Sequence, residues 1–257
     1  MERIANSPLS ILPLGTSDAF CRTDYHTSAV LLAGRTVCLV DCPEPIHKIL
    51  HERTAEAGLE ISAADIQHVL LTHLHGDHAN GLESFLFMRK FVYPDLDKPL
   101  IHCLPEVADV LWEGKLACSM ADSSIPEIGM DIHLGPDDYY ELHRIETEKP
   151  FMVGEIEIVA RRAMHSVPTF GFRASCGGRT LGYSGDTIFD PEHIAFLSSA
   201  DLIFHDCNDS PIHTEYESLV NVEPGVREKM AIFHMSDAFD REHSLIPAVE
   251  PGRLYAV

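Results

Sequence analysis

The chain has 257 residues, of which 45% are hydrophobic and 23% charged, so it can bury a large core without disulfides. Its 40 acidic and 19 basic residues give a net charge of −21 with histidine neutral. This excess of acid argues against an extended DNA or RNA surface, because such surfaces are built from Lys and Arg. A short nucleotide in a pocket remains compatible with the charge.

The sequence predicts neither a membrane span nor a secretory leader. Its most apolar stretch, residues 28–42, is interrupted by Arg35 and Asp41, well short of the roughly 18–20 apolar residues that a span needs. The N-terminal segment carries Glu2 and prolines where a leader would have a basic start and an apolar run. The seven cysteines contain no Cys-x-x-Cys pair, which indicates reduced thiols rather than disulfides or a zinc knuckle. We therefore expect a cytoplasmic protein without membrane contact.

Short apolar runs alternate with longer helical patterns along the chain. The predicted strands cover residues 9–15, 28–34, 36–42, 68–73, 100–104, 139–145, 155–164, 171–176, 180–183, 201–205 and 230–233. Helices are predicted over residues 45–57, 79–91 and 106–117, with a further helix opening at Pro191 after Asp190 as N-cap. We predict one α/β domain over residues 1–257, in which two sheets pack together with helices outside.

Residues 121–157 form the most acidic part of the chain, with ten acidic side chains against Arg144 and Lys149. A charge run of this kind is typical of a solvated face. The alternative is a lid that repels polyanions.

Three imidazoles and a carboxylate lie within six residues, in the segment Thr72-His73-Leu74-His75-Gly76-Asp77-His78. His and Asp are costly to bury unpaired, and Gly76 permits a tight turn between them. Alternation along an extended segment directs His73 and His75 to the same side, whereas the turn directs Asp77 and His78 to a neighbouring point. The spacing predicts two adjacent metal ions.

Further candidate ligands follow apolar strands downstream, namely His165, Asp186 and His234. A layered α/β fold delivers the residues at its strand ends to one edge of a sheet. With the first four, these residues make seven ligands, enough for two metal sites that share one carboxylate.

The residues resemble the metallo-β-lactamase superfamily, whose His-x-His-x-Asp-His motif and later His, Asp and His occur here in order. The resemblance implies a four-layer αββα sandwich. It also implies that His73, His75 and His165 hold one metal, that Asp77, His78 and His234 hold the other, and that Asp186 bridges them. Zinc is the favoured metal, with manganese and iron left open.

Other segments are similar to the ribonuclease Z and cyclic-nucleotide phosphodiesterase branch. In His205-Asp206-Cys207-Asn208, followed by His213, the resemblance gives Asp206 the role of a carboxylate that orients a histidine, and His213 the role of that histidine. The alternative for this pair is a surface histidine and a capping aspartate. His75 replaces the carboxylate of the di-iron flavoprotein branch, and Asp186 argues against β-lactam hydrolysis.

These observations predict a metal-dependent hydrolase that cleaves a small phosphodiester or nucleotide with a hydroxide bridging its two metals. Asp77 orients or deprotonates the water, and His213, assisted by Asp206, protonates the leaving alkoxide. The charge, and the lack of a recognisable tRNA-gripping arm, argue against tRNA. Two alternatives stay open: a thioesterase, lactonase or other carbonyl-ester hydrolase, and a non-catalytic metal sensor. The sequence also leaves a homodimer open.

Overall fold

The computed structural model describes residues 8–257, so the first residues of the N-terminal segment lie outside the described part. Its strands are β1 (Ser10–Gly15), β2 (Ser28–Ala33), β3 (Thr36–Val40), β4 (His68–Leu70), β5 (Leu100–Cys103), β6 (Asp122–Ile125), β7 (Met130–His133), β8 (Glu141–Arg144), β9 (Pro150–Val153), β10 (Ile156–Ala163), β11 (Thr169–Cys176), β12 (Arg179–Tyr183), β13 (Leu202–Asp206), β14 (Met230–Phe233) and β15 (Tyr255–Ala256).

The helices are short. They are α1 (Ile46–Glu56), α2 (Gly76–Ala79), α3 (Leu82–Phe87), α4 (Pro105–Leu111), α5 (Ala117–Met120), α6 (Pro136–Tyr139), α7 (Pro191–Leu197), α8 (Tyr216–Val220) and α9 (Pro224–Arg227). Two π-helical turns, Met88–Val92 and Trp112–Leu116, extend α3 and join α4 to α5, and a 3₁₀ turn covers Pro126–Ile128. In the described part of the chain, every helix is too short or too polar to traverse a bilayer.

Two sheets form the centre of the fold. One has the strand order β15-β1-β2-β3-β4-β5-β8 and the other β14-β13-β12-β11-β10-β9. Their apolar faces share one hydrophobic cluster, which includes Leu39 from β3 and Phe172 from β11. Helices α1 and α4 contact the first sheet and α7 contacts the second, which confirms the predicted αββα sandwich. That one domain covers residues 1–257 stays a prediction.

The strand β4 is shorter than the predicted strand of residues 68–73. After Leu71, whose N–H still bonds to the His102 carbonyl, the N–H of Thr72 donates to the Asp41 side chain at 2.8 Å. The chain leaves the ladder because a carboxylate takes the place of a neighbouring strand. This departure begins the turn that carries the histidine-rich motif.

The predicted helix of residues 79–91 is also interrupted. The N–H of Gly81 donates to the Cys42 carbonyl at 2.7 Å, so it does not continue a helical ladder. Cys42 in turn donates its N–H to the His78 carbonyl at 2.7 Å. The segment after β3 is therefore tied to the histidine-rich turn from both sides.

Within the acidic segment, the structure contains elements that the sequence analysis missed. Residues 122–133 form the antiparallel hairpin β6–β7, and residues 150–153 form an edge strand. The ten acidic residues are exposed, apart from the half-buried Asp138. This exposure agrees with a solvated face.

Replacing Gly81 with alanine should destabilise the fold, because the added Cβ would lie 2.4 Å from the Pro43 carbonyl oxygen. Backbone atoms cannot move aside as a flexible side chain can, so we expect a loss of about 1–3 kcal/mol in the free energy of unfolding. Chemical denaturation of Gly81→Ala measures this loss.

The matched control is Gly114→Ala, where the nearest neighbouring atom would be 3.5 Å away. This variant should be as stable as the parent or slightly more so, since alanine restricts the unfolded chain. Equal stability of the two variants would contradict the close approach at Gly81.

Candidate metal centre

The first sheet brings its candidate ligands to one edge. Strands β3 and β4 are parallel, so their carboxyl ends lie side by side. Asp41 follows the first of these strands, and the turn that contains His73 follows the second. His78 lies one turn further, in α2.

The second sheet also brings candidate site residues to one of its edges. Strands β10, β12, β13 and β14 all run in one direction, because β10 and β12 are each antiparallel to β11. His165 follows β10, Asp186 follows β12, Asp206 ends β13 and His234 follows β14. Carboxyl ends of this kind are where α/β folds place their ligand sites.

The buried carboxylate of Asp186 lies at the meeting point of the two edges. Its Oδ2 is 3.3 Å from His78 Nε2, 3.4 Å from His234 Nε2, 3.7 Å from His73 Nε2 and 3.9 Å from His165 Nε2. The first and third of these histidines come from one sheet, and the others come from the second. One oxygen atom is thus approached by the same ring nitrogen of four imidazoles.

All seven ligands that the sequence analysis proposed come together, in two groups. Within each group the donor atoms lie within 4.8 Å of one another. The groups are His73, His75, His165 and Asp186, and Asp77, His78 and His234. This is the division that the family resemblance implies, and Asp186 is close to both.

Hydrogen bonds behind the cluster orient the two histidines of the first sheet. His78 Nδ1 donates to Asp41 Oδ2 at 2.8 Å. The Thr72 hydroxyl donates to the same oxygen at 2.8 Å and accepts from His73 Nδ1 at 3.0 Å. One buried carboxylate therefore fixes both rings with Nε2 directed at the cluster, as the outer partners of metal-binding histidines do.

The histidines of the second sheet are held in the same way. His165 Nδ1 donates to the Ile212 carbonyl at 2.9 Å. His234 Nδ1 lies 2.9 Å from the Thr27 hydroxyl, which itself donates to the Ser17 carbonyl, so the ring nitrogen is the donor. The Nε2 lone pair of each ring is then directed at the cluster, and His165 Nε2 also lies 3.2 Å from His75 Nδ1.

The unpaired atoms at the centre fit a metal better than they fit a closed protein network. His73 Nε2, His78 Nε2 and Asp186 Oδ1 are buried and have no hydrogen-bond partner within residues 8–257. Buried polar atoms without partners are costly, and native proteins contain few of them. Imidazole nitrogens around a carboxylate are the donors that a divalent transition metal prefers. The donor set therefore fits metal binding.

The electrostatics of most ligands favour the forms that coordinate metals. Burial lowers the pKa of His234 to about 4 and takes the pKa of His73 well below its usual value. Burial alone would raise the pKa of Asp77, but the neighbouring His78 and His234 outweigh it and hold that pKa below its usual range. Neutral imidazoles and an ionised carboxylate are the binding forms.

The pKa of His78 is shifted in the opposite direction. Burial lowers the pKa of its ring, but the carboxylates of Asp186 and Asp41 on either side outweigh burial and raise it well above the usual value. The two neighbouring carboxylates thus favour the protonated ring. Coordination of a metal ion by His78 Nε2 would require the loss of that proton.

His213 also reaches the cluster. Its Nδ1 donates to Asp206 Oδ2 at 2.9 Å and lies 4.0 Å from Asp186 Oδ2, while its ring stacks on His234. Burial raises the pKa of Asp206 to about 7. Burial lowers the pKa of His213, but its bond to Asp206 and the charges of Asp206 and Asp186 outweigh this and raise it. The His213 side chain is 8% exposed and that of Asp206 is fully buried, so the structure places this pair beside the cluster.

A cavity of about 340 Å³ opens onto these residues. His75, Asp77, Asp186, His213 and His234 line its inner part. Gly76 of α2, residues of the loop after β1 and residues of the segment after β13 complete the wall; the loop and segment residues are Asp18, Ala19, Phe20, Asn208, Ser210 and Ile212. The cavity has the size of a small-molecule site.

Comparison with known proteins agrees with this architecture. The family model described as Anti-Pycsar protein Apyc1 matches residues 9–248. The chain belongs to this family. The Anti-Pycsar protein Apyc1 of Paenibacillus sp. (strain J14) is 25% identical over 238 residues, which cover 89% of this chain and 90% of that protein.

Two other similarities are more distant. The cGMP-dependent 3′,5′-cGMP phosphodiesterase A of Dictyostelium discoideum is 22% identical over 247 residues, which cover 87% of this chain and 25% of that protein. The metallo-β-lactamase fold protein YhfI of Bacillus subtilis superposes with a TM-score of 0.77 at 15% identity, covering 96% of this chain and 99% of YhfI. The chain thus has the metallo-β-lactamase fold.

The residues that hold the candidate ligands in place are not marked by the sequence. Asp41 has no motif around it, and its role depends on β3 lying beside β4. Its one local signal is a carboxylate at the end of an apolar strand, in a segment otherwise suited to the core. Thr27 carries no such signal, since its partner His234 comes from the far end of the chain.

Replacing Asp41 with asparagine should weaken metal binding by about 10- to 100-fold, the usual effect of losing an outer partner. The amide keeps one acceptor oxygen but presents an N–H donor to Thr72 or His78, which also donate. Metal affinity measured by competition with a chromogenic chelator tests this expectation.

The control is Asp190→Asn, the same change at a carboxylate that accepts from the Glu192 N–H at the start of α7. Its metal affinity should equal that of the parent. If Asp41→Asn folds and retains the parental affinity, Asp41 does not orient the ligands.

Proposed function

We propose that this protein is a metal-dependent phosphodiesterase that hydrolyses a 3′,5′-cyclic nucleotide. The observation that carries the proposal is the arrangement at Asp186: two groups of candidate ligands share this carboxylate, and a histidine held by a buried aspartate lies beside it. A set of metal ligands alone would be compatible with many kinds of hydrolase. The additional histidine gives the site a proton donor for an alkoxide leaving group.

The ligand groups support two divalent cations in this site. His73, His75 and His165 would hold one ion, Asp77, His78 and His234 the other, with Asp186 between them. Zinc suits a set rich in imidazole, and manganese and iron are the other candidates. When bound, such a pair makes water a stronger acid and neutralises the charge of a phosphodiester.

The remaining roles fall to residues of the chain. Asp77 lines the cavity with its carboxylate ionised, so it is placed to orient or deprotonate the attacking water. His213 uses Nδ1 to bind Asp206, which leaves Nε2 to donate a proton to the leaving oxygen. Asp206 is a positioning residue, since it acts on the substrate only through His213 and also accepts from the Thr187 N–H.

The proposed substrate class rests on the volume of the cavity, the net charge of the chain and its sequence similarity to a named phosphodiesterase. A cavity of about 340 Å³ admits a mononucleotide rather than a folded RNA. A net charge of −21 disfavours a large polyanion such as tRNA. A relative across most of this chain is named as a cyclic GMP phosphodiesterase. A cyclic mononucleotide satisfies all three constraints.

Purified protein loaded with zinc or manganese should hydrolyse 3′,5′-cyclic GMP to the 5′ monophosphate or its 3′ isomer. Removal of metal with a chelator should abolish turnover, and adding the metal back should restore it, because the nucleophile depends on the ion. Product chromatography with metal analysis by mass spectrometry gives both the rate and the number of ions bound.

Thioesters and lactones provide the contrasting substrates. Turnover of these with none on cyclic nucleotides or bis(p-nitrophenyl) phosphate would assign the site to carbonyl esters. Stoichiometric metal without turnover on the whole panel would indicate a sensor. Either result would overturn the proposal.

Replacing His213 with alanine should reduce kcat for a cyclic nucleotide by about 10²- to 10⁴-fold, the usual contribution of a general acid. The same variant should lose far less activity on bis(p-nitrophenyl) phosphate, because p-nitrophenolate leaves without needing a proton. Comparing kcat for the two substrates isolates proton donation.

Metal content provides the second readout, because His213 lies close enough to Asp186 and His234 to be a ligand itself. A general acid can be removed without loss of metal, whereas a ligand cannot. The control, His243→Ala, removes an exposed histidine that bonds only to nearby Asp240 in the described structure. Equal losses on both substrates, accompanied by loss of metal, would make His213 a ligand.

A further inference from the structure

Phe20 is exposed at the cavity wall. Its exposed fraction is 88%, the highest of the large hydrophobic residues in the described part of the chain. Single exposed apolar residues are common on protein surfaces and need no explanation. Phe20 differs because it shares a cavity with Asp77, Asp186 and His234.

The loop that carries Phe20 is fixed to the ligand-bearing segments. The Asp18 carboxylate accepts from the Phe20 N–H at 3.0 Å and, through its other oxygen, from Asn208 Nδ2 at 2.9 Å. Asn208 Nδ2 also donates to the His234 carbonyl at 3.1 Å, and the Asp18 N–H donates to the Met235 carbonyl at 3.2 Å. The backbone position of Phe20 is thereby coupled to the backbone of a candidate ligand.

A second anchor lies on the other side of Phe20. The Asp237 carboxylate accepts from Cys21 Sγ at 2.8 Å, from the Arg22 N–H at 3.1 Å and from the Thr23 hydroxyl at 2.6 Å. Three consecutive residues therefore bind one side chain from the segment after β14. With both flanks held, an aromatic ring is presented to solvent by a fixed backbone.

We propose that the Phe20 ring stacks on the nucleobase of the substrate while the phosphodiester lies at the Asp186 end of the same cavity. This inference rests on the proposed function and adds to it the residue that holds the base. An aromatic ring recognises a base through its π-face, and the contact removes apolar surface of both partners from water. Because the loop is already anchored, binding orders little additional chain.

Stacking on a base also accounts for the position of the ring outside the core. A phenylalanine left in water forgoes the favourable burial of its side chain. A nucleobase bound over the ring recovers part of this burial, and does so only when substrate is present.

The test compares two substrates that undergo the same reaction. One is 3′,5′-cyclic GMP, and the other is ribose 3′,5′-cyclic phosphate, which has the same ester but no base. Removing a stacking partner should reduce kcat/KM for cyclic GMP about 5- to 150-fold more than for the base-free compound, the range that base–aromatic stacking covers. The expected change is mainly in KM, since the stacking contact is made with the base and not with the bond that breaks.

Four variants of the full-length, metal-loaded protein make the comparison specific. Phe20→Ala removes the ring, Phe20→Leu keeps an apolar side chain without a π-face, and Phe20→Trp restores an aromatic surface. Leu245→Ala removes another highly exposed apolar side chain, 76% exposed, as the matched control. We expect Phe20→Ala to lose more kcat/KM on cyclic GMP than on the base-free compound, and Phe20→Leu to show most of this difference. Phe20→Trp and Leu245→Ala should not show it.

The possible failures are distinguishable. If the parent hydrolyses cyclic GMP and Phe20→Ala does so with an unchanged kcat/KM, the stacking role is wrong and the proposed function stands. Equal losses on both substrates would likewise overturn stacking, because they would show that the loop acts on the ester. If the parent hydrolyses neither compound, the proposed function fails and this inference fails with it.

Discussion

The carboxylate of Asp186 is the group on which the site depends. It is buried, and the Nε2 atoms of four imidazoles approach its Oδ2 within 3.9 Å. A buried charge is stable only when it is compensated, and the protein offers it histidines whose other ring nitrogens are already engaged. The Nδ1 hydrogen bonds of these four rings lie behind them and leave Nε2 directed at the carboxylate, where His165 Nε2 also meets His75 Nδ1 at 3.2 Å.

The two sheets are needed because neither can supply the ligands alone. Antiparallel pairing joins β15, β1, β2 and β3 at one end of the first sheet, whereas β3, β4, β5 and β8 run parallel at the other. In the second sheet, β12, β13 and β14 run parallel in the same manner. Parallel strands collect their carboxyl ends at one edge, and packing the sheets face to face brings the two edges together. The packing of the two sheets thus places the carboxyl ends of both sets of strands next to each other.

The sequence predicts those features of the site that are marked by residues close together in the chain, and not those that arise from contacts between distant segments. The density of ligands between His73 and His78 predicts a metal site without knowledge of the fold, and later ligands can be recognised because each follows an apolar strand. Asp41 could not be found in this way, since its function arises from a neighbour that pairs with β3 only in the folded sheet. The break at Gly81 was hidden for the same reason, because Cys42, which accepts its N–H, is distant in sequence.

The elements missed in the acidic segment have a different cause. The strands β7 and β9 are four residues long and bury at most one side chain each, so neither has a buried apolar run that would mark it in the sequence. Predictions based on burial find strands that pack on both faces, such as β1 and β2, and overlook strands stabilised chiefly by pairing. The predicted fold was therefore most accurate near the core and least accurate at the rim.

The wide separation of Asp77, His78 and His234 along the chain has a consequence for biosynthesis. As the polypeptide leaves the ribosome, the histidine-rich turn emerges long before β14 and the residue that follows it. Contacts between distant segments form late, because loop closure must precede them. A nascent chain therefore carries only part of the candidate ligand set for most of its synthesis, and the set is complete only after β14 has joined the second sheet.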